Sequence, residues 1–350
     1  MSYQRLSDRR VRIGMVGVGG HAYRNLLPAL TFLPVELVAI ADVDETLAHR
    51  TAAQYGVRHS YPTAAQMYAN EDLDAVLICV SPQLHPGLAI EAFAAGLHVW
   101  MEKPAAPTVA EVDRMIEARG ELLCTVGYKK VFMPAAVKVR ELLASAALGE
   151  VRTILAQYPL SIPLGGEAAE NSMWLANGCH PVSLLLSLAG PAASLTVHRA
   201  KDNAGALLIR HESGVLSNIH LSHGAPFGQP FERYTVFGDQ ATAEIDNTRR
   251  VTFQRGMPFD YAGTTSFVAE GLDSGAIVWE PQDSFNTLEN RPEFTQGLHG
   301  GLRHFLDCVL KKRPPRLAHL EFARQVAAVH QAALLSDNQE VALTDLKDKA

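Results

Sequence analysis

The stretch Gly14-Met15-Val16-Gly17-Val18-Gly19-Gly20-His21-Ala22 constrains this chain more than any other. An apolar run, Val11 to Val16, precedes the glycines, and a helical pattern follows from His21 to about Thr31. That order predicts a strand, a glycine turn and a helix. Gly17, Gly19 and Ala22 fit the spacing G-x-G-x-x-G/A. The first glycine permits a tight turn, the second lets a pyrophosphate approach the backbone, and the small third residue lets helix pack on strand. N–H groups at the helix start, around Gly19, Gly20 and His21, then face the phosphates. Val35 to Ile40 reads as a second strand, ending at Ala41-Asp42-Val43-Asp44. Asp42 lies roughly twenty residues beyond the glycines, where an acid binds the adenosine ribose hydroxyls. Together these features predict a bound dinucleotide. The bland alternative is an ordinary α/β turn with a surface aspartate.

A chain of 350 residues is long enough for two domains, each with its own core. The net charge of −6 gives no basic footprint for nucleic acid or an anionic membrane. No apolar run approaches the roughly 20 residues that span a bilayer. Arg9-Arg10 resembles part of an export signal, but the apolar stretch behind it is the first strand and carries no cleavage site. Cys79, Cys124, Cys179 and Cys308 are scattered without a CxxC pair, as expected of reduced thiols in a cytoplasmic protein.

Strand and helix patterns alternate onward to residue 126. Helices are expected over Glu45–Tyr55, from Thr63 to about Tyr68, from Pro86 to Gly96 and from Thr108 to about Arg119. Strands are expected at Val57–Ser60, Ala75–Val80, Leu97–Met101 and Leu122–Val126. Such alternation predicts a doubly wound parallel sheet, with ligands at the carboxyl ends of its strands. Gly17, Asp42, Ser81 and Lys103 all fall at such ends. Lys103 is the first candidate for chemistry, because a strand-end lysine can stabilise negative charge on a substrate oxygen. Glu102 either pairs with it or faces away, and the bond to Pro104 can be cis. A lysine that merely ends a strand is the competing reading.

The chain resembles the glucose-fructose oxidoreductase / inositol dehydrogenase / rhizopine catabolism (Gfo/Idh/MocA) oxidoreductase family. The resemblance rests on Gly17-Val18-Gly19-Gly20-His21-Ala22, Asp42-Val43-Asp44, Ser81-Pro82 with His85, and Ala95-Gly96-Leu97-His98-Val99-Trp100-Met101-Glu102-Lys103-Pro104. It extends through Val126-Gly127-Tyr128-Lys129-Lys130, Gly178-Cys179-His180, the segment Val236 to Asp246, and Leu302-Arg303-His304-Phe305-Leu306. It implies an NAD(P)-dependent dehydrogenase acting on a sugar, inositol or related cyclic polyol. The Rossmann domain would occupy 1–128, and an α+β domain with a large, mostly antiparallel sheet would occupy 129–350. A helix within 320–340 would return to the first domain. The resemblance further implies a homodimer or homotetramer joined through that sheet. Lys103 and His180 would be catalytic. Gly17, Gly19, Gly20, His21, Ala22, Asp42, Ser81, Pro82, His85, Glu102 and Lys103 would hold the cofactor. Tyr128, Lys130, Trp174 and Asn177 would join Lys103 and His180 around the substrate. NAD is preferred to NADP, because Asp42 and Asp44 repel a 2′-phosphate and no arginine follows Asp42 directly; Arg50 could compensate.

Beyond Glu150 the runs alternate and are β-rich, from Val151–Tyr158 to Val251–Gln254, with turn signals between them. Helices Pro181–Leu188 and Glu293–Leu310 are expected to cover one face of this sheet. His180, expected near its ordinary pKa, would take the hydroxyl proton; a histidine that packs at a helix start is the alternative. The chain departs from the family pattern at Ala176, where an aspartate usually stands four residues before the histidine, and at Ser183. Three outcomes stay open: Lys103 and His180 suffice, another acid such as Glu167 or Glu170 reaches in, or the protein binds cofactor as a non-catalytic sensor or regulator. A dehydrogenase for a nucleotide-linked sugar or a dihydrodiol is a further alternative. His211 reads as a strand end in solvent, and no Cys/His cluster has metal spacing.

Overall fold

The computed structural model describes residues 9–160, 177–200, 204–223, 231–239, 241–256, 262, 275–281 and 291–344. Its first sheet has six parallel strands: β1 (Val11–Val16), β2 (Val35–Ala41), β3 (His59–Tyr61), β4 (Ala75–Ile78), β5 (His98–Met101) and β6 (Cys124–Val126). They lie in the order β3-β2-β1-β4-β5-β6, all neighbours parallel. β4 is buried along its whole length, as a strand covered on both faces must be. The order reverses between β1 and β4, which opens a crevice at their carboxyl ends.

The connecting helices are α1 (Leu27–Leu30, entered through a π-helical turn at Ala22–Leu26), α2 (Glu45–Tyr55), α3 (Ala64–Asn70), α4 (His85–Ala94) and α5 (Val109–Arg119). Local chemistry sets their ends. Asp44 and Thr63 accept the N–H groups of Leu47 and Gln66, and Thr108 with Glu111 forms a reciprocal capping box. Strand β3 begins two residues later than the sequence predicts. Val57 is used instead to close α2: its N–H bonds to the Ala52 carbonyl at 2.9 Å, beyond a left-handed Gly56.

The second sheet has nine strands: β7 (Thr153–Leu160), β8 (Ala192–Arg199), β9 (Gly205–His211), β10 (Leu216–His223), β11 (Arg233–Phe237), β12 (Ala241–Asp246), β13 (Arg250–Arg255), β14 (Gly275–Trp279) and β15 (Val341–Ala342). Among the described residues only β7 and β10 pair in parallel in this sheet. Helices α6 (Pro134–Ala144) and α7 (Cys179–Ala189) share a core cluster with the inward residues of this sheet, including Ile154, Ile219 and Val236. The opposite face carries exposed Leu155, Leu208, Phe237 and Val278.

One expected helix is two. α8 (Pro292–Thr295) and α9 (Leu298–Lys311) are broken at Gln296-Gly297. Gly297 has φ 86, and a Cβ there would stand 2.1 Å from the Lys129 carbonyl oxygen, so the break accepts only glycine. Nor does α9 cover the second sheet. Its Leu302, Phe305 and Leu306 pack with Val11, Ile13, Met15 and Trp100 on the first. The last helix, α10 (Leu320–Leu335), docks on α5 through Arg119–Glu321 and Arg324–Asp113 pairs and a Val109 N–H bond to Gln331.

His211 is not in solvent. It is 2% exposed, with Nδ1 against the Gly190 carbonyl and Nε2 against the Ser217 hydroxyl, both at 2.8 Å. It joins His85 and His330 as histidines whose burial lowers the ring pKa, His330 to about 4. The sign follows directly. Below pH 6.5 the unfolded chain binds protons that the folded chain refuses, so stability falls as pH drops from 6.5 towards 4. His330 alone should account for about 3 kcal/mol across that window. Urea midpoints at pH 7 and pH 4.5 should differ, and His330→Leu should shrink the difference. No helix among the described residues is long and apolar enough to cross a membrane.

Candidate active site

The site grows from the glycine turn. A Cβ at Gly17 (φ 85) would stand 2.3 Å from the Cys79 carbonyl oxygen, so the turn lies hard against the end of β4. Val18 N–H donates to Asp42 Oδ2 at 2.8 Å, and Asp44 N–H donates to Oδ1 at 3.0 Å. These bonds hold the carboxylate at the tip of β2. Gly19 and Gly20 are exposed, with no atom within 4 Å of where a Cβ would be. That open cradle, a buried Ala22 behind it and the fixed Asp42 fit a dinucleotide diphosphate and its ribose. Ser81 and Pro82 lie at the same rim, where a 3₁₀ turn at Pro82–Leu84 leads into α4.

His85 has another place. It is completely buried, and its Nδ1 bonds to the Pro104 carbonyl at 2.8 Å. It braces the loop after β5 from behind and does not face the crevice. The Lys103–Pro104 peptide in that loop is cis. Glu102 faces the glycine turn: Oε1 meets His21 Nε2 at 3.1 Å and Oε2 accepts the Lys103 N–H at 3.0 Å. Burial alone would push the Glu102 carboxyl up. The His21 hydrogen bond, the charges of His21 and Lys103 and the Lys103 N–H outweigh burial and hold it below the usual range.

Between the glycine turn with the end of β5 on one side and the starts of α7 and α8 on the other lies a cavity of about 230 Å³. Lys103, His180, Glu102, Lys129, Gln296 and Glu293 all reach it. His180 sits in the first turn of α7, 6% exposed, with its ring tilted against Tyr158 and no partner for Nδ1 among the described residues. It does not keep its ordinary pKa. Burial lowers it well below 6.5, and repulsion from Lys103, Lys129, Lys130 and His21 adds to the shift, so the ring is neutral at neutral pH. Ser183, one turn on, donates to the His180 carbonyl at 2.9 Å and is itself buried.

Two expected substrate contacts lie elsewhere. Tyr128 is buried against Phe322 and faces a small internal cavity beside His330. Lys130 is buried in an ion pair with Glu232, whose other oxygen accepts the Tyr234 hydroxyl at 2.9 Å. The physical reason is the 3₁₀ turn at Lys129–Phe132, which rotates successive side chains by about 120°. Lys129 therefore takes the cavity side and Lys130 the core side. Asn177 is half-buried just before α7, and Trp174, Ala176, Glu167 and Glu170 lie outside the described residues. Sequence reasoning passed over Lys129, Gln296 and Glu293. Nothing in residue spacing places Gln296 and Glu293 here, because the wall they form depends on the break at Gly297.

The fold and the cradle define a two-sheet protein with a Rossmann dinucleotide-binding half. Comparison with known proteins agrees. Residues 11–129 match the profile described as "Oxidoreductase family, NAD-binding Rossmann fold", and residues 136–244 match the GFO/IDH/MocA C-terminal domain. The chain is 27% identical over 260 residues to a myo-inositol 2-dehydrogenase of Thermotoga maritima, covering 69% of this chain and 77% of that protein. It is 28% identical over 241 residues to a D-xylose 1-dehydrogenase (NADP(+)) of Haloferax volcanii, covering 64% and 73%. Several other curated relatives align over less than half of their own length. A dehydrogenase structure from Chromobacterium violaceum shares the fold, with a TM-score of 0.79 at 23% identity over 94% of this chain and 96% of that one. The chain belongs to the Gfo/Idh/MocA family of oxidoreductases.

Proposed function

We propose that the protein catalyses reversible hydride transfer between NAD and a secondary alcohol of a sugar, inositol or related polyol. The observation that carries this reading is the meeting of Lys103 and His180 on one cavity beside the glycine turn. The relatives named for inositol and xylose oxidation support the substrate class. The glycine turn and Asp42 would hold NAD, which would supply a hydride acceptor for the alcohol carbon as the alcohol becomes a ketone.

The chain's own residues do the rest. The Lys103 ammonium donates a hydrogen bond to the reacting oxygen and stabilises the negative charge that grows there. His180 is neutral and takes the hydroxyl proton on a ring nitrogen. Burial first, then three nearby lysines, disfavour the imidazolium. Glu102 ties the β5 loop to the glycine turn through His21, keeping Lys103 in register with the cradle.

In this reading residues 1–128 hold the cofactor, and residues 129–350 supply the pocket and, through the exposed apolar residues of the second sheet, a homodimer or homotetramer contact. A cytoplasmic setting is supported by four cysteines that form no disulfide. The test is NAD reduction by a panel of inositols, aldoses and alditols, followed by absorbance; silence across the panel while NAD binds tightly overturns the reading. Asp42→Ala should weaken NAD by about 10-fold or more, through loss of charge-assisted bonds to the ribose and the Val18 anchor. Calorimetric titration measures it, and unchanged affinity removes Asp42 from the cofactor site.

A further inference from the structure

Resting on the dehydrogenase reading, the charges around the cavity narrow the substrate class. Two of the acidic groups near the lysines already have partners of their own. Glu232 is engaged by Lys130 and Tyr234, and Glu102 by His21 and the Lys103 N–H. Lys129 differs. Its ammonium donates to the neutral Gln296 Oε1 at 2.6 Å and, among the described residues, enters no ion pair. A half-buried cation whose hydrogen-bond partner is a neutral amide is costly unless something else answers its charge. Its place is structurally fixed: the 3₁₀ turn holds its backbone, and Gly297 presses against its carbonyl. Glu293 reaches the same cavity with Oε2 unpartnered among the described residues, an acceptor suited to a hydroxyl and unfavourable to a second carboxylate.

We propose that the cavity takes a polyhydroxy monocarboxylic acid, a sugar acid in place of a neutral sugar, and that Lys129 binds its carboxylate. The electrostatics agree. Burial first, then Lys130 and Lys103, lower the Lys129 pKa to about 8, against partial support from Glu102 and Glu232. The amine therefore stays mainly protonated at neutral pH, and a bound carboxylate would raise its pKa again.

The test compares acids with neutral counterparts of matching hydroxyl stereochemistry: D-gluconate with D-glucitol, D-galactonate with galactitol, D-glucuronate with D-glucose, and D-galacturonate with D-galactose. For each pair, kcat/KM is measured with NAD, and binding to the protein–NADH complex is measured by calorimetry. At least one acid should exceed its neutral counterpart by about 10- to 100-fold, the range of a charge-assisted contact. The gap should collapse to about 3-fold or less in Lys129→Met and be largely kept in Lys129→Arg. Binding of the acid near pH 8 should take up protons in the wild type and not in Lys129→Met, a signature that a merely structural lysine would not give. Equal or better use of the neutral members by the wild type overturns the proposal, whatever the variants do. So does a gap that survives Lys129→Met. Turnover of neutral members alone removes this inference and leaves the dehydrogenase reading standing. Tight, Lys129-dependent binding of an acid without turnover upholds the inference and counts against that reading.

Discussion

Lys103→Met should lower kcat/KM by about 10²–10³-fold while leaving NAD affinity within a few-fold of the wild type. Methionine keeps the length of the side chain and removes the ammonium that the proposed mechanism sets against the developing alkoxide. The variant loses transition-state stabilisation and little ground-state binding, so the loss should fall mainly on kcat. A second readout separates this role from a structural one. After burial itself, Lys103 is the charge that depresses the His180 pKa most. Removing it should let the His180 pKa rise, and the acidic limb of the pH–rate profile should move to higher pH. Stopped-flow turnover with pH-profile analysis measures both. Loss of NAD affinity in proportion to activity would show that Lys103 holds the cofactor and does not act on the substrate.

Glu232→Leu should destabilise the protein by about 3–5 kcal/mol, the cost of leaving the Lys130 ammonium buried without its counter-ion. Both side chains are almost closed to solvent, at 5% and 7% exposure, and Glu232 also anchors the Tyr234 hydroxyl. The double change Lys130→Met with Glu232→Leu should recover most of that loss, because it removes the buried charges together. Denaturant midpoints of the two single variants and the double variant form the cycle. If the pair is structural, KM in the double variant stays close to wild type, since Lys130 faces the core. A large rise in KM at full stability would instead return Lys130 to the substrate, as its place after Gly127-Tyr128 suggests from sequence.

The two halves of the chain were unequally legible. The cradle was readable because its physics is local. Gly17 needs positive φ and closeness to β4, Gly19 and Gly20 need bare backbone, and Asp42 needs only the end of the next strand; all of these lie within one strand–helix–strand unit. Lys103 and His180 were visible as motif residues, and the cavity brings them together. His180's pKa was not visible, because it depends on Lys129 and Lys130 reaching it from a turn some fifty residues earlier in the chain. The same holds for His211, whose alternating strand pattern gives no sign that β8, β10 and the α7 exit would close over it.

By itself, then, the order of residues determined the Rossmann half, the dinucleotide cradle and the strand-rich second half, since each follows from short-range periodicity, turn chemistry and spacing. Tertiary structure alone decided which of two adjacent lysines faces the pocket, that α9 packs on the first sheet, and that Gln296 and Glu293 join the site. The physical reason is common to all three. A 3₁₀ turn, a glycine break and a choice between two apolar sheet faces are settled by contacts between distant segments, and no periodicity within one segment records them.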